Sequence, residues 1–158
     1  MPPDALSLDA YQKEVLRTAP RELAAYPECV RAAHEALLWI ASIDEQNGEP
    51  ALADPARANA AQLLRTFDQL IWCLGLAGEV GETLDLLKKS FGHGHPLDRA
   101  KLKKEFGDVR WYGAALEDSF GFASSEVARA NVEKLRARYP SAAGFTIADS
   151  IAKADEKP

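Results

Sequence analysis

Two long helical patterns separated by one short breaker constrain this chain more than any other feature. The first is expected from about Ala60 or Thr66 to Ser90, the second from Asp98 to about Ser119. Between them stands FGHGHPLD, with two glycines and a proline. So short a connector makes the two helices antiparallel neighbours. Each carries an acid pair at one-turn spacing, in GEVGETLDLLKK and in KEFGDVRWY. Successive helical residues turn by about 100°, so Glu79 and Glu82 stand about 60° apart on one face, as do Glu105 and Asp108. Four carboxylates are therefore expected to converge between two rods.

The rest of the chain agrees with an all-α reading, since β-branched residues are sparse and no segment alternates. Leu8 or Asp9 to Thr18 reads as a short helix with Asp9 as its cap, ending before Pro20. Pro27 opens a second helix from about Glu28 to Glu45. Gly48, Pro50 and Pro55 then predict a loop or insertion over residues 47–60. Ser124 is expected to cap a last helix through Arg138, YPSAAGF to end it, and residues 149–158 to form a mobile tail. The expectation is a single all-α domain over 1–148: an antiparallel four-helix bundle core with an extra N-terminal helix.

With 47% hydrophobic and 27% charged residues, the 158-residue chain can bury the core of an ordinary globular domain. A formal charge of −5 weighs against nucleic acid as a partner. Two cysteines, Cys29 and Cys73, make no disulfide scaffold and suit a reducing cytoplasm. The opening MPPDALSLDAYQ has neither a basic start nor an apolar stretch, so no signal peptide is expected. The run Leu70 to Gly78 is too short to span a bilayer, so no membrane partner is expected either.

An acid pair three residues apart usually marks a solvated helix face. Here the helical wheel sets Trp72, Gly75 and Leu86 beside Glu79 and Glu82, and Val109, Tyr112 and Leu116 beside Glu105 and Asp108. Gly75, Gly78 and Gly81, with Gly107 on the second helix, either allow close packing or leave room for an ion and a ligand. Clustered carboxylates repel one another and resist desolvation unless cations join them. An all-oxygen set suits Mg²⁺, with Mn²⁺ as an alternative, ions that keep waters and accept phosphate oxygens. Di-iron bundles need Glu-x-x-His, which neither pair provides; His93 and His95 sit in the connector.

The ordered set LGLAGEVGETLDLLKK, HGHPLD, LKKEFGDVRWY and NVEKLRARYP, followed by GF, resembles the MazG-like all-α nucleoside triphosphate pyrophosphohydrolases. This superfamily also includes dimeric dUTPases and dCTP pyrophosphatases. The close resemblance spans about Leu70 to Phe145, with a weaker match at Tyr11 to Leu23; it does not place residues 28–60, which read as an added helix and loop. It implies an oligomeric bundle, a homodimer or homotetramer. It also implies Mg²⁺-dependent cleavage of a (deoxy)nucleoside triphosphate to a monophosphate and pyrophosphate, as in nucleotide-pool housecleaning. Carried onto this chain, the metal ligands would be Glu79, Glu82, Glu105 and Asp108, with Glu79 and Glu82 the catalytic pair. Which acid takes the proton from water stays open, Asp85 included.

Lys101, one turn before Glu105, and Asn131, Lys134 and Arg138 along the last helix are the candidate phosphate contacts. Tyr112 resembles the family aromatic at that place, and Trp72 is a candidate for stacking a base or for the core. Trp39 and Trp111 read as core or interface. The alternatives are a dedicated substrate (dUTP, dCTP or phosphoribosyl-ATP) and a non-catalytic nucleotide-binding oligomer.

Overall fold

The computed structural model describes residues 6–19 and 22–139. Among them are five α-helices and no strand: α1 Leu8–Thr18, α2 Glu28–Gln46, α3 Pro50–His93, α4 Arg99–Ser119 and α5 Ser124–Arg138, with a 3-10 turn at Leu23–Ala25. The expected boundary at Pro20, most of the YPSAAGF stop and the tail from 149 lie outside the described residues.

The loop expected over 47–60 is the main correction. Only Asn47, Gly48 and Glu49 separate α2 from α3, with Gly48 at φ 78° and Glu49 N–H donating to the Asp44 carbonyl at 2.8 Å. Pro50 opens α3, where the missing N–H would have had no helical partner anyway. Pro55 removes one hydrogen bond near the helix start, and the alanines around it restore helix propensity. Tertiary packing completes the case. Ala53 (0% exposed) and Ala56 bury against Ala41 of α2, and Ala60 is buried a turn further on. The resulting 44-residue helix is about 66 Å long at 1.5 Å per residue.

α3 is the spine of the molecule. α2 runs antiparallel along its first half, from the alanine contact to Tyr26, which donates to Asp68 at 2.9 Å and meets Phe67 edge-on. α4 runs antiparallel along its second half, after a connector in which Gly94 adopts φ 72° and Asp98 caps α4 by accepting from Lys101 N–H. α1 and α5 pack on α4 and on each other. The second core joins Val15, Trp72, Ala114 and Ala115, with Trp72 edge-to-face on Trp111 at 5.4 Å. Trp111, half-buried, also donates to Thr18 Oγ1, whereas Trp39 is 66% exposed. Leu70, Leu74, Val80 and Leu84 of α3 and Phe106 of α4 remain exposed on the single chain. No described helix is long and apolar enough to cross a membrane.

Two expected caps change place. Ser7, not Asp9, caps α1 by accepting from Ala10 N–H at 3.1 Å. Ser124 is the first residue of α5 rather than its cap, and the preceding Ala123 has no side chain that can accept.

Candidate metal centre and adjoining cavity

The antiparallel register that sets Gly75 against Tyr112 also brings Glu79 of α3 to Glu105 and Asp108 of α4. One carboxylate oxygen from each of these three acids lies within 4.8 Å of the other two. Glu79 and Asp108 are half-buried, and Glu105 is only 4% exposed. Glu105 makes no hydrogen bond or ion pair with any described residue. Burial, then the charges of Asp108, Glu82 and Glu105, push the Glu79 carboxyl above its ordinary range, and Lys104 opposes them only in part. Three carboxylates held this close repel one another, a cost that a bound cation would remove. An octahedral Mg²⁺ with bonds of about 2.0–2.1 Å spaces its ligand oxygens about 3–4 Å apart, a spacing within the 4.8 Å bound that these three acids meet.

Glu82 departs from the expected quartet. The register puts it level with Glu105, but its side chain is exposed and is not one of the three that converge. Asp85 is tied down by Lys89 at 2.5 Å and Lys88 at 3.6 Å; the Lys89 ammonium chiefly holds its carboxyl below the usual range. His93 and His95 face each other edge-on at 6.2 Å, both exposed.

Gly75 is a close-packing glycine, since a Cβ there would collide with the Tyr112 ring. Gly78, Gly81 and Gly107 would meet nothing within 4 Å, so open space surrounds them instead. Tyr112 packs between that backbone and the rings of Trp72 and Trp111. Trp72 itself is 8% exposed in the core, which leaves no face free to stack a base.

Beside the acids, α1, α4 and α5 line an open cavity of about 950 Å³, to which α3 contributes Leu76. Glu117 and Ser124, joined by a hydrogen bond, line it near the α4–α5 turn. Arg110, Asn131 and Lys134 line it about two turns or more further along their helices. Tyr11 connects cavity and acids: it lines the former and donates to the Gly107 carbonyl at 3.4 Å. Burial raises the Tyr11 hydroxyl above its ordinary value, with Arg110 opposing and Asp108 adding to the shift, so both charges lie within its reach.

Of the cations expected from the sequence, Lys134 lines the cavity together with Asn131, whereas Lys101 and Arg138 are exposed and do not. Arg110 and Tyr11 were not singled out. Arg110 stands two residues from Asp108, off the acid face of the wheel, and Tyr11 arrives from a helix nearly 100 residues away.

Residues 67–143 match the family model described as the MazG nucleotide pyrophosphohydrolase domain. Neither a curated protein nor a solved structure matches the chain.

Proposed function

From the match of residues 67–143 to the MazG nucleotide pyrophosphohydrolase domain, we propose that the protein hydrolyses nucleoside triphosphates to the monophosphate and pyrophosphate with Mg²⁺. The observation that carries this reading is the convergence of Glu79, Asp108 and the 4%-exposed Glu105, which has no hydrogen-bond or ion-pair partner among the described residues. These three would hold the metal, and Glu82 on the adjacent turn is close enough for its charge to be felt at Glu79. When bound, a divalent ion supplies neutralisation of phosphate charge and a lower pKa for a coordinated water.

The chain's own residues do the rest. Arg110, Lys134 and Asn131 receive phosphate oxygens, the Arg as a fork and the Lys as a point charge. Glu82, outside the converging three, takes the proton of the attacking water. The water oxygen bonds to the α phosphorus, the bond from that phosphorus to the β-phosphate bridge breaks, and pyrophosphate leaves. Leu76, Val109 and Val127 give the cavity apolar walls where a sugar or base displaces water. The exposed leucines of α3 and Phe106 favour self-association of the chain, as a homodimer or homotetramer. A single species of monomer mass in sedimentation at micromolar concentration would contradict that assembly.

Phosphorus NMR of the protein with Mg²⁺ and a panel of deoxynucleoside triphosphates in ¹⁸O-water tests the chemistry. The expected products are pyrophosphate and a monophosphate carrying the label. Inorganic phosphate with a diphosphate would refute cleavage at the α phosphorus. Saturable binding without any product would favour a nucleotide-binding oligomer instead.

A further inference from the structure

Of the helices around the cavity, α5 is the least embedded: Ser124 is its only buried residue, while Asn131 and Lys134 are exposed. Its hold on the molecule is concentrated at its N-terminus. The first N–H groups of a helix have no partner within it and ordinarily turn to a capping side chain of the same segment. Ala123 cannot serve, and α1 does so instead. Gln12 Oε1 accepts from Ser124 N–H at 3.2 Å. The Asp9 carboxylate accepts from Ser125 N–H at 2.9 Å and from Ser125 Oγ at 2.8 Å.

Gln12 is itself fixed. It is 6% exposed, and its amide donates to the carbonyls of Ala114 in α4 and Phe122 in the α4–α5 turn, at 3.3 and 3.0 Å. The side chain thereby locks three segments together. Two directional bonds to consecutive N–H groups, about 100° apart around the axis, set both the tilt and the rotation of α5.

We propose that Asp9 and Gln12 are positioning residues for substrate: through them α1 decides where Asn131 and Lys134 stand over the cavity. The inference rests on the functional reading given above. Its mechanical basis is leverage. Asn131 and Lys134 lie seven and ten residues beyond Ser124, about 10 and 15 Å along the helix, so a swing of about 15° carries Lys134 about 4 Å. That displacement breaks any hydrogen bond to a phosphate while leaving the acids on α3 and α4 in place. Leu6, Ser7 and Leu8 line the same cavity, so the segment that holds α5 also forms part of the wall it holds α5 against.

The test uses Asp9→Ala, at the half-buried end of the latch, with Asp9→Asn as the conservative variant that keeps an acceptor for Ser125. Steady-state kinetics with a deoxynucleoside triphosphate, Mn²⁺ affinity and thermal melting are measured on each. The expected result is a KM raised about 5- to 20-fold in Asp9→Ala, with kcat and Mn²⁺ affinity within about twofold and KM largely restored in Asp9→Asn. An unchanged KM overturns the proposal. So does a parallel loss of KM, kcat, Mn²⁺ affinity and melting temperature, which is general destabilisation. Should the wild type turn over no triphosphate, the functional reading fails and the latch is judged by calorimetric binding of inorganic tripolyphosphate. Weaker binding in Asp9→Ala then supports the latch, and equal binding, or none to the wild type, overturns it.

Discussion

The two halves of α3 meet their partner helices in the same antiparallel way and with opposite chemistry. Along the first half, α2 approaches through the alanines Ala41, Ala53 and Ala56, and its own buried Arg31 Nε and His34 Nδ1 find no hydrogen-bond partner among the described residues. Along the second, α4 approaches at Gly75, where Tyr112 lies on bare backbone, and one turn on three acids are pressed together, Glu105 among them without a partner among the described residues. A helix pair built only for stability has no reason to gather like charges in this way. The second half gives up stability to hold a charge cluster ready, and the first half, together with the aromatic core, offsets that cost. The family match begins at residue 67, near where the one half gives way to the other.

The largest effect should come from Glu105→Gln. Activity is expected to fall by about 10²- to 10³-fold or more, while the metal-free variant melts at a higher temperature than the wild type because one of three mutually repelling charges is gone. Activity that survives, or a metal-free melting temperature that drops, would erase the contrast between the halves. In the metal-free wild type, Glu79 also binds its proton more tightly when folded than its ordinary value of 4.5 implies. The stability this contributes is complete below that value and is lost as pH rises through the elevated one. Melts across the acid range, with and without Mn²⁺, should show the decline only without metal.

Next come paired substitutions that probe packing. Gly75→Ala should cost about 1–3 kcal/mol, since the new methyl displaces Tyr112. Gly78→Ala, with open space around it, should stabilise by up to about 1 kcal/mol through helix propensity alone. On the other half, Ala53→Leu should cost a similar 1–3 kcal/mol or so by overpacking, with Mn²⁺ affinity unmoved. Denaturant midpoints for the three, read beside Mn²⁺ titrations, separate structural loss from loss of the site.

The smallest effect concerns the tie between α2 and the middle of α3. Burial first, then the hydrogen bond and charge of Asp68, push the Tyr26 hydroxyl up to about 12. Stability from this contact is fully present below the ordinary value of 10 and is lost as pH rises towards 12. Tyr26→Phe should remove that alkaline decline at a cost of about 1 kcal/mol or less near neutrality. A decline unchanged in the variant would place its origin elsewhere.

What could be read in the sequence was local. Periodicity and end signals located α1, α2, α4 and α5 to within a residue or two, because the turn residues that bound these helices lie beside them in the sequence. The start of α3 was missed because Pro50 and Pro55 signal a break locally, whereas the alanines that carry the helix past them gain by packing on Ala41, which no local pattern reveals. At the acids, spacing brought Glu79, Glu105 and Asp108 to one face, but the helical wheel could not say that Glu82 would stay exposed and outside the converging three. Asp9 read as a cap, correctly in chemistry and wrongly in target: it caps a helix that begins 115 residues later, a pairing only the tertiary fold creates. Trp72 could have stacked a base or filled the core, and its contacts with Trp111 and Tyr112 place it in the core.

Mn²⁺ binding to wild type and Glu105→Gln, followed by electron paramagnetic resonance, tests the central claim most directly. The account predicts saturable binding to the wild type and an affinity at least about tenfold weaker in the variant. Equal affinity in the two would mean that the buried carboxylate is not there for a metal, and the proposed chemistry would lose its foundation.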